Sequence, residues 1–208
     1  MTNLDFASYL NSGWIQTFSG HRIWPFAPEH AENHFDIEDI AHHLAMQVRW
    51  SGAVRRFYSV AEHCVLGSKI VMQPLALRFL MHDAEEAYIG DICRPVKLQL
   101  WVGAPLCEPL IQLKEAGDLL RAAILRQLGI GPIDGSIEAF IKDVDDQLMV
   151  REALELLKGG PHRDFAMQPK NGWPAADVVP LCWSPEIAER KFLERFAELA
   201  GRVPAAIA

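Results

Sequence analysis

The segment "FLMHDAEEAYIGDI", residues 79 to 92, opens on Phe79, Leu80 and Met81 and then sets His82 among Asp83, Glu85, Glu86 and Asp91. Carboxylates this close repel one another and resist burial unless a proton or a cation neutralises them. On a helix, His82 and Asp83 stand about 100° apart around the axis, so both can reach one point beside it. Glu86, at i+4 from His82 and i+3 from Asp83, shares that face. Glu85 is expected to point elsewhere, into solvent. A divalent cation offsets the repulsion and accounts for an imidazole–carboxylate pair embedded in an apolar helix.

Two side chains make a weak site, so other helices are expected to contribute. The best donors are His63, in the middle of "SVAEHCV", and a carboxylate from "IKDVDDQL". Ile141, Val144 and Leu148 mark the buried stripe of the latter, and Asp145 abuts it. Asp143 and Asp146 stay open as alternatives to Asp145.

These residues need helices to carry them, and the pattern supplies several. "DIEDIAHHLAMQVRW" repeats apolar residues at helical spacing behind Asp36 as N-cap, with Asp39 in its first turn. Ser59 followed by Glu62 is a capping-box signature. "PLALRFLMHDAEEAYIG" starts at Pro74 and stops at Gly90, which predicts one continuous helix. "DICRPVKLQLWVGAP" reads as a Pro-containing loop. "LCEPLIQLKEAGDLLRAAILRQLG" and "SIEAFIKDVDDQLMVREALELL" read as two further amphipathic helices, parted by the turn residues of "GIGPIDG". The stretch from Gly159 to Trp183 has neither period and reads as a long loop. "SPEIAERKFLERFAELA" is a capped helix expected to fold back over the core, its charges a wet face. Upstream, residues 12 to 30 mix aromatics with Gly and Pro and suggest a short hairpin turning at Ser19-Gly20. The expectation is one all-α domain over residues 1–208, divided into an irregular cap (1–35), a helical metal-binding core (36–158), and a loop with a C-terminal helix (159–208).

Bulk properties narrow the function classes. A net charge of −7 argues against a general nucleic-acid or anionic-membrane binder. Apolar runs are broken by charges before reaching the roughly 20 residues that span a bilayer. "MTNLDFASYL" has an acid and no basic region ahead of an apolar stretch, so no secretory signal is read there. Cys64, Cys93, Cys107 and Cys182 form no Cys-x-x-Cys pair, which points to reduced, mostly buried thiols in a cytoplasmic protein. His30 and His34 of "HAENH" are expected to be solvent-exposed. Of His42 and His43, one should pack and one should face water. His21 and His162 fall in loops. No GxxxxGK[ST], GxGxxG or GxSxG motif occurs.

The order His63, His82-Asp83, Asp145, each on its own predicted helix, resembles the HD-domain metal-dependent phosphohydrolases. The fuller pattern "RRFYSVAEHC … LMHDAEEAYIGDICRPVK … IKDVD" is similar to their bacterial 5′-deoxynucleotidase-like branch and its phage or prophage relatives, over roughly residues 20 to 155. The resemblance implies an HD-domain helical bundle in which His63, His82, Asp83 and Asp145 bind one divalent ion (Mn, Co, Fe, Zn, Ni or Mg). It implies general acid/base roles for Glu86 and Asp91. Arg49-Trp50 matches an Arg-Trp pair that contacts phosphate and sugar or base, although its distance from His63 differs from that of the nucleotidases; Trp50 either stacks on a base or fills the core. Substrate phosphate needs further cations, and Arg49, Arg55, Arg56, Arg94 and Lys97 lie nearest the motif. The expected activity is hydrolysis of a nucleotide, with a deoxynucleoside 5′-monophosphate as favoured substrate. The alternatives are a deoxynucleoside triphosphate triphosphohydrolase and, in another class, a non-catalytic metal- and nucleotide-binding module. A homodimer is implied by the same likeness.

Overall fold

Asp36 is extended, and its side chain accepts the Glu38 amide, which starts α1 (Ile37–Met46). The same chemistry starts α2 (Val60–Ser68), where Ser59 Oγ accepts the Glu62 amide at 3.1 Å. Every residue of α2 is buried, Glu62 and His63 included. The other helices pack around it. These assignments come from a computed structural model that describes residues 13–103, 110–165 and 178–201.

The expected hairpin is present: β1 (Ile15–Gln16) pairs antiparallel with β2 (Arg22–Ile23), with Ile15 opposite Ile23. Gly20 takes the positive φ of 93° that the turn requires. The buried Asp39 carboxylate accepts the Ser19 amide at 2.8 Å and the Ser19 hydroxyl at 2.6 Å, fastening the hairpin to α1. The N-terminal residues in which no leader was read, 1–12, lie outside the described residues.

The continuous helix expected over residues 74–90 is instead broken. A 3₁₀ turn (Gln73–Leu75) leads into α3 (Ala76–Leu80), a five-residue turn follows at 81–85, and α4 (Glu86–Ile89) closes at Gly90. The break has a local cause. The carbonyl of Phe79 receives the His82 amide at 3.2 Å and also the His82 ring Nδ1 at 2.7 Å. The following amides of Ala84 and Glu86 then bond three residues back, to Met81 and Asp83. Such i→i−3 winding is tighter than an α-helix and changes the direction of each side chain that it carries.

The expected loop after Gly90 also contains regular structure: α5 (Arg94–Lys97), with Pro95 in its first turn, and β3 (Trp101–Val102), paired antiparallel with β4 (Ile111–Gln112). Among the described residues the next helix, α6, runs over Leu113–Gln127; Cys107 and the start predicted for this helix fall at 104–109, outside the described residues. α7 (Gly135–Leu156) is capped by Asp134, and α8 (Pro185–Ala200) ends at Gly201 with φ 63°. Most of the long loop, at 166–177, also lies outside the described residues. The chain is thus mostly helical, with two small antiparallel hairpins.

The main core joins Ile40 and Leu44 of α1, Val65 of α2, Leu80, Met81 and Tyr88, Leu120 and Ile124 of α6, and Phe192 of α8. A second cluster sets Phe79 and Ala76 against the predicted stripe of α7, Ile141, Val144 and Leu148. α8 folds back over α1 and α2, as its apolar face requires. No helix among the described residues is long and apolar enough to cross a membrane.

Glu62 departs from the capping-box pattern. Its carboxylate does not turn back to Ser59 but accepts the amides of Leu181, Cys182 and Trp183 at 2.6, 2.9 and 2.7 Å. The histidines also need correction. His42 bonds Glu189 at 2.9 Å and stacks on Phe18, while His43 bonds the Ala87 carbonyl and accepts the Phe18 amide, so neither simply faces water. His34 is exposed, whereas His30 is half-buried and stacks on Trp24 at 3.9 Å.

Gly67 of α2 permits the approach of Phe79: a Cβ there would lie 1.8 Å from Phe79 Cε1, and that ring is fully buried. Helix propensity alone favours Ala over Gly by about 1 kcal/mol, but overpacking a closed core costs about 1–3 kcal/mol. An overlap this deep belongs at the upper end. Gly67→Ala is therefore expected to destabilise the protein by about 2 kcal/mol net, seen as a lower denaturant midpoint at unchanged slope. An unshifted midpoint would mean that the Phe79 ring is free to move.

Candidate metal centre

Three elements bring four side chains to one point. α2 supplies His63, the 81–85 turn supplies His82 and Asp83, and α7 supplies Asp145. His63 Nε2 stands 3.3 Å from His82 Nε2 and 3.2 Å from Asp145 Oδ1. His82 Nε2 is 3.3 Å from Asp83 Oδ2 and 3.7 Å from Asp145 Oδ1, and Asp83 Oδ2 is 3.8 Å from His63 Nε2. Donors each about 2.1 Å from a shared ion stand about 3.0–3.4 Å apart in octahedral or tetrahedral arrangement. Three of the five separations fall in that range, and the two others, 3.7 and 3.8 Å, lie above it, so side chains must draw in slightly around an ion.

The other ring nitrogens show why these atoms face one another. His63 Nδ1 donates to Glu152 Oε1 at 2.6 Å, and His82 Nδ1 donates to the Phe79 carbonyl at 2.7 Å. With the proton fixed on Nδ1, each ring in its neutral form would aim the Nε2 lone pair into the centre, which is the tautomer that a metal ligand needs. Two lone pairs at this separation, beside two carboxylates, call for positive charge. These buried histidine and aspartate groups can hold a metal ion.

Electrostatics agree with the geometry. Burial opposes charge on His82, but Asp83 and Asp145 outweigh it and push the ring up to about 9. Burial likewise works against ionisation of Asp145, yet its bonds to His63 and His82 hold the carboxyl well below the usual carboxylate range. Cys64 Sγ comes within 4.0 Å of His82 Nδ1, but that nitrogen already serves Phe79, and burial pushes the thiol up and keeps it protonated.

Near the four donors lie several of the other residues singled out from the sequence. Glu86 is buried, and Lys97 Nζ donates to its Oε1 at 2.9 Å, while Oε2 has no hydrogen-bond partner among the described residues. Burial and then Asp83 push Glu86 well above the usual range; burial also raises Asp91. Gln47 spans the two, donating to the Glu86 carbonyl and accepting the Asp91 amide, both at 2.8 Å.

Arg49 is buried, with Nη1 3.5 Å from Asp83 Oδ2 and Nε 3.3 Å from Glu152 Oε2. Trp50 and Ser51 follow it with φ of 61° and 48°, a left-handed pair that costs about 1 kcal/mol or more per residue. The Trp50 ring lies 6.0 Å from that of Phe165. Arg94 Nη2 bonds Asp146 at 2.7 Å and reaches Asp145 at 4.0 Å. Arg55 donates to the Glu155 carbonyl and Arg56 lies beside Cys182; both are exposed, and neither has an ion pair or hydrogen bond to the four donors among the described residues.

Glu85 corrects its expectation. It is buried and paired with Arg121 at 2.7 Å, because α6 covers this face; Gly117 there stands against Glu85 and Ile89 without a side chain to hold them off. Sequence reasoning also missed Glu152, Tyr58, Gln47 and Lys142. Lys142 binds Asp145 Oδ2 at 2.6 Å. Glu152 and Lys142 had a usable signal, since they lie seven residues after and three before Asp145, on the same face of α7. Gln47 and Tyr58 come from other segments and had none.

The chain is 30% identical over 194 residues to the uncharacterized protein YfdR of Escherichia coli (strain K12), an alignment spanning 90% of this chain and 96% of that protein. This chain belongs to the YfdR family. An uncharacterized protein of Rhodobacter capsulatus is 31% identical over 144 residues, spanning 62% of this chain and 68% of its own. No family model matches the chain.

A cation at this candidate centre must displace protons. His82 is pushed up to about 9 against an ordinary 6.5, so the folded metal-free chain keeps a proton that the unfolded chain releases. Its stabilisation is full below pH 6.5 and is lost as pH rises through about 9. Manganese affinity should therefore climb between pH 6.5 and 9, by up to about tenfold per pH unit for one displaced proton. Isothermal titration in two buffers of different ionisation enthalpy reads that proton release; a pH-independent affinity would contradict it.

Proposed function

We propose that this chain is a metal-dependent phosphohydrolase of the HD-domain type acting on nucleotides, with deoxynucleoside 5′-monophosphates as favoured substrates. The observation that carries the reading is the group His63, His82 and Asp145, which could hold a metal ion, with Asp83 3.3 Å from His82 and a buried carboxylate, Glu86, in the field of Asp83 whose Oε2 has no partner among the described residues. A site that only held helices together would have no use for such a carboxylate. The motif resemblance in "RRFYSVAEHC", "LMHDAEEAYIGDICRPVK" and "IKDVD" supplies the reaction class.

The donor set of two imidazoles and two carboxylates suits one divalent ion of the Mn, Co, Fe, Zn, Ni or Mg group. Such an ion would be held by His63, His82, Asp83 and Asp145 and would supply positive charge to a phosphoryl group and acidify water. The protein residues supply the rest. Lys97 fixes Glu86 Oε1, which leaves Oε2 to carry the proton that burial favours. From there Glu86 serves as general acid/base, with Asp91 as the second candidate, its main chain held by Gln47. Arg94 and Lys142, roughly half-exposed at Asp145 and Asp146, offer cations to substrate phosphate.

A panel of nucleotides with manganese or cobalt tests this reading. Inorganic phosphate should be released from deoxynucleoside monophosphates; release of triphosphate from deoxynucleoside triphosphates would move the chain to the triphosphohydrolase reading. Glu86→Gln should lower turnover about 10²–10⁴-fold while metal content stays at the parental level. Parental turnover with metal bound would remove Glu86 from the mechanism, and no turnover in the parent on any nucleotide would leave the non-catalytic binding module. The implied homodimer belongs to the same reading, and a monomer in sedimentation velocity would contradict it.

A further inference from the structure

We propose that Glu152 is a positioning residue that orients His63 directly, and Asp83 through Arg49, so that one buried carboxylate on α7 sets two of the four donors. The proposal rests on the metal-centre reading above. Glu152 is fully buried. Its Oε1 accepts His63 Nδ1 at 2.6 Å and the Tyr58 hydroxyl at 2.7 Å, and its Oε2 accepts Arg49 Nε at 3.3 Å. Arg49 then extends Nη1 to Asp83 Oδ2 at 3.5 Å.

The arrangement closes a loop of contacts. Asp145 and Glu152 are two turns apart on one rigid helix, so α7 carries both a donor and the group that aims the opposite donor. Tyr58 supplies Glu152 with a neutral donor, and the Arg49 main chain is tied to Tyr58 by an N–H···O bond of 2.9 Å. Stability alone is a poor reason for this cluster. Burying a carboxylate and a guanidinium costs several kcal/mol per ion, which their attraction often fails to exceed. Orientation is a better one. Without an acceptor at Nδ1, a neutral His63 can shift its proton to Nε2, the atom that must present a lone pair to a cation. Arg49 is accordingly engaged on its Nε and Nη1 edges by Glu152 and Asp83, which makes it first a clamp on the centre.

Manganese titration of the folded wild type and Glu152→Leu, which leaves no acceptor, with melting curves of both metal-free proteins, provides the test. The wild type should bind one equivalent, and Glu152→Leu should bind about 10–100-fold more weakly, the usual loss when an outer partner of a ligand histidine is removed. A lower melting point with an unchanged Kd would show a merely structural role and overturn the proposal. Failure of the wild type itself to bind would instead overturn the metal-centre reading. Should Glu152→Leu not fold, long-range ¹H–¹⁵N spectra of the zinc-loaded wild type decide. Ligation of His63 through Nε2 with a retained, downfield Nδ1 proton supports the proposal, and ligation through Nδ1 refutes it.

Discussion

Two imidazole nitrogens, His63 Nε2 and His82 Nε2, face each other at 3.3 Å with Asp83 and Asp145 beside them. Both rings have given their other nitrogen to an acceptor, so once His82 has lost its proton the centre concentrates lone pairs and negative charge where water has little access. Such a group is costly unless something positive lies within it. Much of the fold can be understood as the scaffold that holds this unfavourable arrangement in place. α2 is buried along its whole length, so His63 has almost no freedom. The tightened turn at 81–85 aims His82 and Asp83 inward, and Phe79 walls the centre, its ring 4.4 Å from that of His82.

The surrounding charges follow one rule. Glu85 has Arg121, Glu86 has Lys97, Glu152 has Arg49, and Asp145 has Lys142 on its outer oxygen. Among the described residues Glu62 has no cation but three backbone amides from 181–183, and through them the segment before α8 is fastened to the residue next to His63. Each buried carboxylate thus has a compensating group on at least one oxygen. The carboxylates of Glu85 and Glu86 each keep one oxygen without a hydrogen-bond partner among the described residues, and of these two Glu86 has Asp83 as a principal neighbour in its electrostatics. Proton-holding groups with raised affinity commonly sit in such surroundings.

The sequence made some of this legible and concealed the rest for physical reasons. Caps and periodicity located α1, α2, α7 and α8, because Asp36, Ser59 and the Ile141–Val144–Leu148 stripe act locally. His82 and Asp83 stood out as an imidazole–carboxylate pair in an apolar run, and the ordered motif resemblance joined them to His63 and Asp145 as a set. The helix break at 81–85 was not, since it depends on the His82 ring reaching back to Phe79. Glu85 read as a solvated acid because nothing in its own segment announces that Gly117 lets α6 approach. Arg49 is a similar case: near the motif it reads as a phosphate ligand, and only the folded chain brings Glu152 alongside it.

Anomalous X-ray scattering at the manganese or cobalt edge, from crystals grown with that ion, tests the central claim most directly. The account predicts one strong peak about 2.0–2.2 Å from His63 Nε2, His82 Nε2, Asp83 and Asp145. Crystals that show those four side chains splayed apart, with no peak between them at saturating metal, would contradict it.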